Sequence, residues 1–501
     1  MDDKIDLSGT NGKLGSQTVA HDPSNVWWNR WEALKQAMSH LEGLINVVQV
    51  VDAPPERESL LRRPTLRVLI QELQKFVGAK DADQTNPDPG PTAGLFVYLY
   101  NNLKSGRLLL PDGYPSNYVF RILLDQIGFD NGIIATAAAQ RLFANDKMAE
   151  RFRQADLLAQ KAIQPAIAAG LLPEGTIALT FMANGARARV IPYAAVALIA
   201  IPFTAAIADE DLLATAHEAG HYVYWHGQFD DSTLDKRLIE AGVPTWCRQW
   251  AEEIFADVYG TVVAGAPYAL SGQDILLDER PEAFLHDDGE HPVAPLRTRL
   301  YGKVLAKKGG DNDIWGPRLK ERWLQKEAEI QRRAMADSAT EVNTPAKLRQ
   351  HKHGTAPGKQ LLTETMNWQD DNIADTLGVG DWPLDKALTV IYNALAQSKN
   401  GSASVLAAAA VNGWLDDSKQ YPDNSDVQQL YEGFTNYLKD LDGSISDDVL
   451  AADTSSEVRL LKIKKKLLTD AAKVTPSEWE YLISVQGWVT RGPQEQPNPP
   501  E

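Results

Sequence analysis

Residues 190–208 form a run of nineteen amino acids without a charged side chain. A segment of this length is close to what a membrane-spanning helix requires. Pro192 and Pro202 lie within it, however, and each would remove a backbone donor from such a helix. Its many alanines also keep the hydrophobicity modest. We therefore interpret the run as a pair of buried strands of a protein core, and we expect no membrane span.

The segment before this run also has the pattern of extended structure. Residues 176–183 read TIALTFMA, and Asn184-Gly185 and then ARARVIPY follow them. Asn-Gly between two extended segments predicts a tight hairpin, because both turn positions need a positive φ. A further extended run, AVALIAIP, covers residues 195–202. Most of the remaining chain has the periodicity of helices, so the predicted fold class is α+β, mainly helical, with a small twisted sheet.

Charge and cysteine content exclude several classes of protein. The formal net charge of -17 is a poor match for the phosphates of a nucleic acid, so we expect no nucleic-acid partner. Cys247 is the single cysteine, which rules out a disulfide within the chain. The first residues lack the apolar segment of a secretory signal. We therefore expect a cytoplasmic location, and non-classical export stays open.

The motif with the clearest chemistry is His217-Glu218-Ala219-Gly220-His221. It lies in a predicted helix over residues 210–226, for which Asp209 is a suitable N-cap and Gly227 a suitable end. Residues four apart share one helix face, so both imidazoles can reach one Zn²⁺ ion. Glu218 lies beside the first of them, where it can take a proton from a water molecule held by the metal.

A catalytic zinc site needs a third protein ligand, and the best candidate lies in a second predicted helix over residues 246–263. Glu253 could bind the metal from this helix. Asp257, four residues later, could accept the second N–H of a liganding histidine and so fix its tautomer. Glu252 is the alternative ligand, although no acidic residue follows it four positions later. An acidic surface patch is the interpretation that requires no metal.

H-E-x-x-H followed by E-x-x-x-D resembles the gluzincin clan of zinc metallopeptidases. The segment EIFADVYG, residues 253–260, is similar to one in the group of CAAX-prenyl proteases and heat-shock membrane proteases. His291-Pro292 with Arg297 resembles the HP…R element of those enzymes. The resemblance implies that His291 or Arg297 supports the substrate or the oxyanion. An ordinary residue of a polar, acidic loop is the other interpretation of His291.

The resemblance covers only residues 217–297, and the chain departs from these relatives in two respects. They carry several clear membrane helices, whereas this chain has at most one doubtful span. The spacing between His221 and Glu253 also differs from that of thermolysin-like and aminopeptidase-like enzymes. The motifs therefore indicate the clan and no particular family.

The zincin resemblance also implies a role for the extended segments. In zincins an edge strand above the active-site helix pairs with the extended backbone of the substrate. AVALIAIP, residues 195–202, directly precedes the helix and is the candidate for this strand. Leu198 and Ala200 are accordingly the predicted substrate-binding residues.

The predicted organisation has five parts. These are a mobile leader (1–24), an N-terminal helical region (25–170), a zincin-like catalytic core (171–305), a C-terminal helical region (306–488) and a disordered tail (489–501). The predicted function is zinc-dependent hydrolysis of peptide bonds in a peptide or protein substrate, with Glu218 as the general base. A catalytically silent zincin-fold scaffold is one alternative, and a narrow-specificity protease effector or toxin is another.

Overall fold

The computed structural model of the chain describes residues 26–47, 61–77, 116–189, 191, 194–227, 234–243, 245–277, 291–292, 294–309, 314–337 and 426–440. The predicted leader and tail, residues 1–24 and 489–501, lie outside these ranges. The described part is mainly helical with one small three-stranded sheet, in agreement with the predicted α+β class. The boundaries of the predicted regions stay a prediction.

The described part of the chain has four helices before the sheet: α1 (Val26–Val47), α2 (Arg63–Val77), α3 (Ser116–Leu142) and α4 (Asp146–Ala168). The strands are β1 (Ile177–Ala183), β2 (Arg187–Arg189) and β3 (Val196–Pro202). Two short 3-10 turns, Phe203–Ala206 and Glu210–Leu213, lead into α5 (Ala214–His226). The later described helices are α6 (Leu234–Glu240), α7 (Thr245–Leu277), α8 (Ala294–Gly309), α9 (Trp315–Asp337) and α10 (Asp426–Asp440).

The order of the strands differs from the one that the sequence predicts. It is β1-β3-β2, with β1 parallel and β2 antiparallel to β3. The predicted hairpin at Asn184-Gly185 is therefore wrong, because β3 lies between the two strands that the hairpin would join. Neither residue of this pair has a positive φ.

β3 is the central strand, which corrects the prediction that residues 195–202 form a substrate-binding edge. Leu198 is paired with Leu179 on one side and with Arg189 on the other. Ala200 is likewise held between Phe181 and Arg187. With a neighbouring strand on both sides, neither residue offers a backbone edge to a substrate. Leu198 and Ala200 are buried core residues instead.

Side chains from the helices occupy the outer edge of β1. The backbone N–H groups of the strand donate to three of them: Ala178 to Gln160, Thr180 to Asp156 and Met182 to Gln140. The carbonyl groups of the same three residues accept from Arg62, Arg141 and Gln140 respectively. The backbone N–H and carbonyl groups of this edge thus have hydrogen-bond partners without a further strand. This explains why β1 pairs only with β3 in the described structure.

The described residues of the uncharged run contribute one strand rather than two. Within its described residues, β3 is followed directly by the 3-10 turn Phe203–Ala206. Six of the seven residues of β3 are buried, which accounts for the lack of charge. No helix in the described part of the chain is both long enough and apolar enough to span a membrane.

One hydrophobic core joins the sheet to helices from distant parts of the chain. It includes Phe152 of α4, Ile199 of β3 and Val223 of α5. α10 adds Phe434 and Leu438 to the same core, and it contacts α7 and the 3-10 turn that precedes α5. The elements that hold the predicted site thus pack against helices that precede and follow them in the sequence.

Candidate metal centre

The helix that carries the H-E-x-x-H motif begins differently from the prediction. Residues 210–213 form a 3-10 turn, and the α-helix starts at Ala214. Asp209 does not cap it, because its carboxylate instead accepts a hydrogen bond from Arg151 at 2.8 Å. The helix ends at His226 as predicted. The backbone of Gly227, which follows it, is extended and not in the left-handed conformation common at helix ends.

α5 and α7 pack closely at the motif, and a glycine makes this approach possible. A Cβ atom on Gly220 would lie 2.7 Å from the backbone Cα of Ala256. Real Cβ atoms do not approach a backbone atom so closely, and the backbone cannot rotate away as a side chain could. The glycine inside the motif therefore sets the distance between the two helices. This contact brings the acidic residues of α7 opposite the histidines of α5.

The structure brings together the three side chains that the sequence predicts as metal ligands. The Nε2 atoms of His217 and His221 lie 3.1 Å apart. Each lies 3.4 Å from a carboxylate oxygen of Glu253. Ligands about 2.05 Å from a tetrahedrally coordinated zinc are separated by about 3.3 Å. The three groups therefore have the spacing of a metal site, and together they could hold an ion.

The three candidate ligands are partly open to solvent. His217 and His221 each expose 14% of the side chain, and Glu253 exposes 13%. A structural zinc site is closed by four protein ligands, whereas a catalytic one keeps a position for water or substrate. Among the described residues, three candidate ligands converge here and keep access to solvent.

Asp257 connects the first histidine to a buried polar cluster. Its carboxylate lies 3.2 Å from Nδ1 of His217 and accepts two hydrogen bonds from Arg297, at 2.6 and 2.8 Å. The hydroxyl groups of Tyr268 and Tyr301 also donate to it, at 2.8 and 3.1 Å. Burial acts to raise the pKa of Asp257, but the Arg297 guanidinium outweighs it and holds this pKa well below its ordinary value. Asp257 is thus an anion suited to orient His217, as the sequence predicts.

Glu252 orients the second histidine, a role that the sequence analysis does not assign to it. Its Oε1 lies 3.1 Å from Nδ1 of His221 and accepts a 2.7 Å hydrogen bond from the Trp225 indole N–H. Glu252, the alternative ligand, thus contacts Nδ1 of His221, whereas Nε2 of the same ring faces Glu253. Consecutive residues of a helix differ by about 100° in direction, so Glu252 and Glu253 can reach opposite sides of one imidazole. The Trp225 contact has no signal in the sequence.

Glu218 is buried beside the candidate ligands. Its carboxylate accepts a hydrogen bond from the backbone N–H of Ala188 in β2. Burial raises the pKa of Glu218, although the two histidines oppose the effect. A carboxylate whose pKa moves toward neutrality is better suited to take up and return a proton.

Arg297 and His291 also lie near the candidate ligands. Arg297 is bound to Asp257 and has a nitrogen atom 3.6 Å from Glu253. Nε2 of His291 lies 3.7 Å from Glu253, and its side chain is 48% exposed. The described contacts of Arg297 are with these carboxylates, which makes its charge a counterion for them. The predicted role of either residue toward a substrate or an oxyanion stays a prediction.

The carboxylates strongly influence the histidines in the metal-free protein. Burial acts to lower the pKa of His217, but Asp257 and Glu253 outweigh it and raise this pKa to about 10. The pKa of His221 is also raised, mainly by Glu253 against the effect of burial. In the metal-free protein the carboxylates therefore favour the protonated forms of His217 and His221.

Comparison of the chain with models of known protein families found no match. Searches of curated proteins and of solved structures likewise found none. Its resemblance to the gluzincins therefore rests on the sequence motifs, and its function has to be argued from the arrangement of the residues themselves.

Proposed function

We propose that this protein is a zinc-dependent metallopeptidase with a zincin-like core. The observation that carries the proposal is the convergence of His217, His221 and Glu253 at separations of 3.1–3.4 Å, with Glu218 adjacent. Two imidazoles and one carboxylate form the ligand set of well-known catalytic zinc sites. A cluster of this kind with solvent access favours catalysis over a purely structural role.

The donor set fits zinc in its chemistry as well as in its spacing. Imidazole nitrogen and carboxylate oxygen are ordinary ligands of Zn²⁺. Each histidine has its other ring nitrogen directed at a carboxylate, Asp257 for His217 and Glu252 for His221. Such partners fix the tautomer that leaves Nε2 free to bind a metal. When bound, zinc would polarise the carbonyl of the peptide bond and lower the pKa of a water molecule toward 7.

Glu218 is the residue that we expect to move the proton. It would accept a proton at its carboxylate as water attacks the carbonyl carbon, and would then return it to the leaving amine. The hydrogen bond from Ala188 fixes the carboxylate relative to the edge of the sheet. Burial raises the pKa of Glu218, which makes its carboxylate a stronger base toward the proton of the water molecule.

The outer edge of β2 is the place where we expect the substrate backbone. The N–H of Ala188 donates to Glu218, so it does not bond to β3. In an antiparallel pair both backbone groups of such a residue point away from the partner strand. The carbonyl of Ala188 therefore faces the same side as Glu218, and no described strand covers it. An extended peptide added at this edge would pass alongside the candidate metal centre.

Three variants test the proposal. The zinc content of full-length protein would be measured by mass spectrometry for the wild type, H217A, E253A and E218Q, beside cleavage of a broad peptide library. We expect about one zinc per chain in the wild type and in E218Q, and loss of zinc in the other two variants. E218Q should cleave no peptide, because an amide cannot take up the proton.

E174Q is the matched control, since Glu174 is an exposed residue outside the site. It should retain both zinc and cleavage. Normal cleavage by E218Q would overturn the proposed mechanism. A wild type that binds zinc and cleaves nothing would favour the scaffold alternative, whereas a wild type without zinc after metal loading would contradict the proposal as a whole.

A further inference from the structure

The two faces of β2 have different surroundings. Ala188 is paired with Ile199, and Ile199 belongs to the core that packs against α5. Residues that are paired across a sheet point to the same face, and successive residues of a strand alternate between faces. Ala188 is therefore on the face toward α5, whereas Arg187 is on the opposite face.

Arg187 is an exposed cation at the open edge of the sheet. Its side chain is exposed, and no described residue forms an ion pair or hydrogen bond with it. Two arginines near the candidate metal centre and the sheet, Arg297 and Arg141, differ in this respect. Arg297 is bound to Asp257, and Arg141 is buried against Asp156. Arg187 is thus a positive charge with capacity for a further partner, on a chain whose net charge is -17.

A peptide paired with β2 would bring a side chain next to this cation. The substrate residue opposite Ala188 would face α5, so the residue opposite Arg187 would face the same side as the guanidinium. Directly opposite side chains in a sheet lie about 4.5–5.5 Å apart at Cβ, which is within reach of an ion pair. Opposite charges at such positions are favourable and like charges are not.

We propose that the β2 edge selects extended peptides that carry an acidic side chain opposite Arg187. The inference rests on the proposed function, because it requires a peptide to lie along this edge. Glutamate or aspartate at this one substrate position is favoured over glutamine, and lysine is disfavoured. The position opposite Ala188 carries no such preference, because its side chain lies on the other face.

The experiment uses zinc-loaded full-length protein and a set of fluorescent octapeptides. Each peptide carries one Glu, Gln or Lys, moved stepwise across a constant alanine and leucine background, and kcat/KM is measured for each. We expect one position at which Glu is preferred over Lys by roughly threefold to fivefold, the size of a cross-strand charge pair. R187Q should abolish this preference and R187E should reverse it.

K439E is the matched control. Lys439 is an exposed residue of α10, and its reversal changes the net charge by the same amount as R187E. It should leave the preference unchanged, whereas 1 M salt should reduce it in the wild type. Unchanged selectivity in R187E, or a preference for lysine in the wild type, would overturn the inference.

Binding of the same peptides to E218Q keeps this test separate from the test of hydrolysis. Fluorescence anisotropy should give the same ratio of Glu to Lys affinities at that position, dependent on Arg187. Selective binding without cleavage by the wild type would contradict the proposed function and support the selection of an acidic residue by Arg187. Cleavage with equal affinity for Glu and Lys peptides would support the proposed function and contradict the selection by Arg187.

Discussion

Two carboxylates each fix one histidine of the candidate metal centre, and they are held in different ways. Asp257 is fully buried and receives hydrogen bonds from Arg297, Tyr268 and Tyr301. Glu252 is only partly buried, and it contacts His221 and the Trp225 indole. We therefore expect the environment of His221 to be the easier of the two to perturb without unfolding the protein.

Removal of the Glu252 carboxylate should weaken zinc binding. E252A leaves Nδ1 of His221 without its acceptor, and loss of such a partner typically reduces metal affinity by about 10- to 100-fold. E252Q should have a smaller effect because the amide oxygen can still accept a hydrogen bond. Competition with a zinc chelator measures both constants, with E174A as an exposed control. Zinc affinity in E252A equal to that of the wild type would show that the contact does not support the metal.

Zinc binding should release protons at neutral pH. The pKa of His217 in the metal-free protein is raised to about 10, so the ring is protonated at pH 7 and must become neutral to bind the metal. The apparent zinc affinity should therefore rise with pH up to about 10, by about tenfold per unit for each proton displaced. Calorimetry in buffers of different ionisation enthalpy counts these protons. Zinc binding that is independent of pH between 6 and 8 would contradict the expectation.

At the scale of the elements, the site depends on how closely α5 approaches α7. Glu253 reaches the histidines because Gly220 allows the α5 backbone to contact Ala256. Gly265, with φ 68° and ψ -150°, interrupts α7 one turn before Tyr268. The kink thus separates the part of α7 that carries the acidic residues from the part that carries the tyrosine. The close contact at Gly220 and the kink at Gly265 both depend on backbone geometry and not on the candidate ligand side chains.

Replacement of Gly220 by alanine should separate the two helices. The added methyl group would lie 2.7 Å from the Cα of Ala256, so the helices must move apart and Glu253 must withdraw from the histidines. We expect a destabilisation of about 1–3 kcal/mol, typical of overpacking, together with weaker zinc binding. G132A is the control, because nothing lies within 4 Å of a Cβ at that position of α3. It should stabilise the protein by up to about 1 kcal/mol through helix propensity, and urea unfolding of both variants checks the contrast.

The sequence predicts that His217, His221 and Glu253 lie close together better than it predicts the order of the strands, for a physical reason. His217 and His221 share a helix face whatever surrounds the helix, and so do Glu253 and Asp257. The partner of a strand depends instead on contacts distant in sequence. Asn184-Gly185 locally favours a hairpin, but Arg62 and side chains of α3 and α4 bind the outer edge of β1, and β3 takes the inner edge. The distinct directions of Glu252 and Glu253 likewise emerge only when α5 and α7 are packed.

At the scale of the whole molecule, the predicted catalytic core is completed by a helix from far along the chain. α10 begins at Asp426, yet Phe434 and Leu438 are buried in the core that contains α5 and α7. Tyr437 accepts a 3.1 Å hydrogen bond from Lys161 of α4, across 276 residues of sequence. In the described structure α10 therefore supports the helices of the candidate metal centre, although it lies beyond the 171–305 region that the motifs delimit.

Truncation of Phe434 should destabilise the protein as a whole. Its side chain is fully buried, and replacement of such a phenylalanine by alanine typically costs about 3–5 kcal/mol. K439A, on an exposed position of the same helix, should change stability by less than about 0.5 kcal/mol. Urea unfolding followed by tryptophan fluorescence provides the comparison. Equal stabilities of F434A and the wild type would indicate that α10 is not part of the core in solution.

The sealed edge of β1 has a consequence for the behaviour of the chain at high concentration. An exposed strand edge is a template on which other copies can assemble, and proteins commonly protect it. Side chains close one edge of the described sheet, which leaves the outer edge of β2 for backbone pairing between two copies. Two β2 strands side by side would bring arginines of like charge together, which is unfavourable. The same cation that attracts an acidic peptide thereby discourages the protein from growing into aggregates through its sheet.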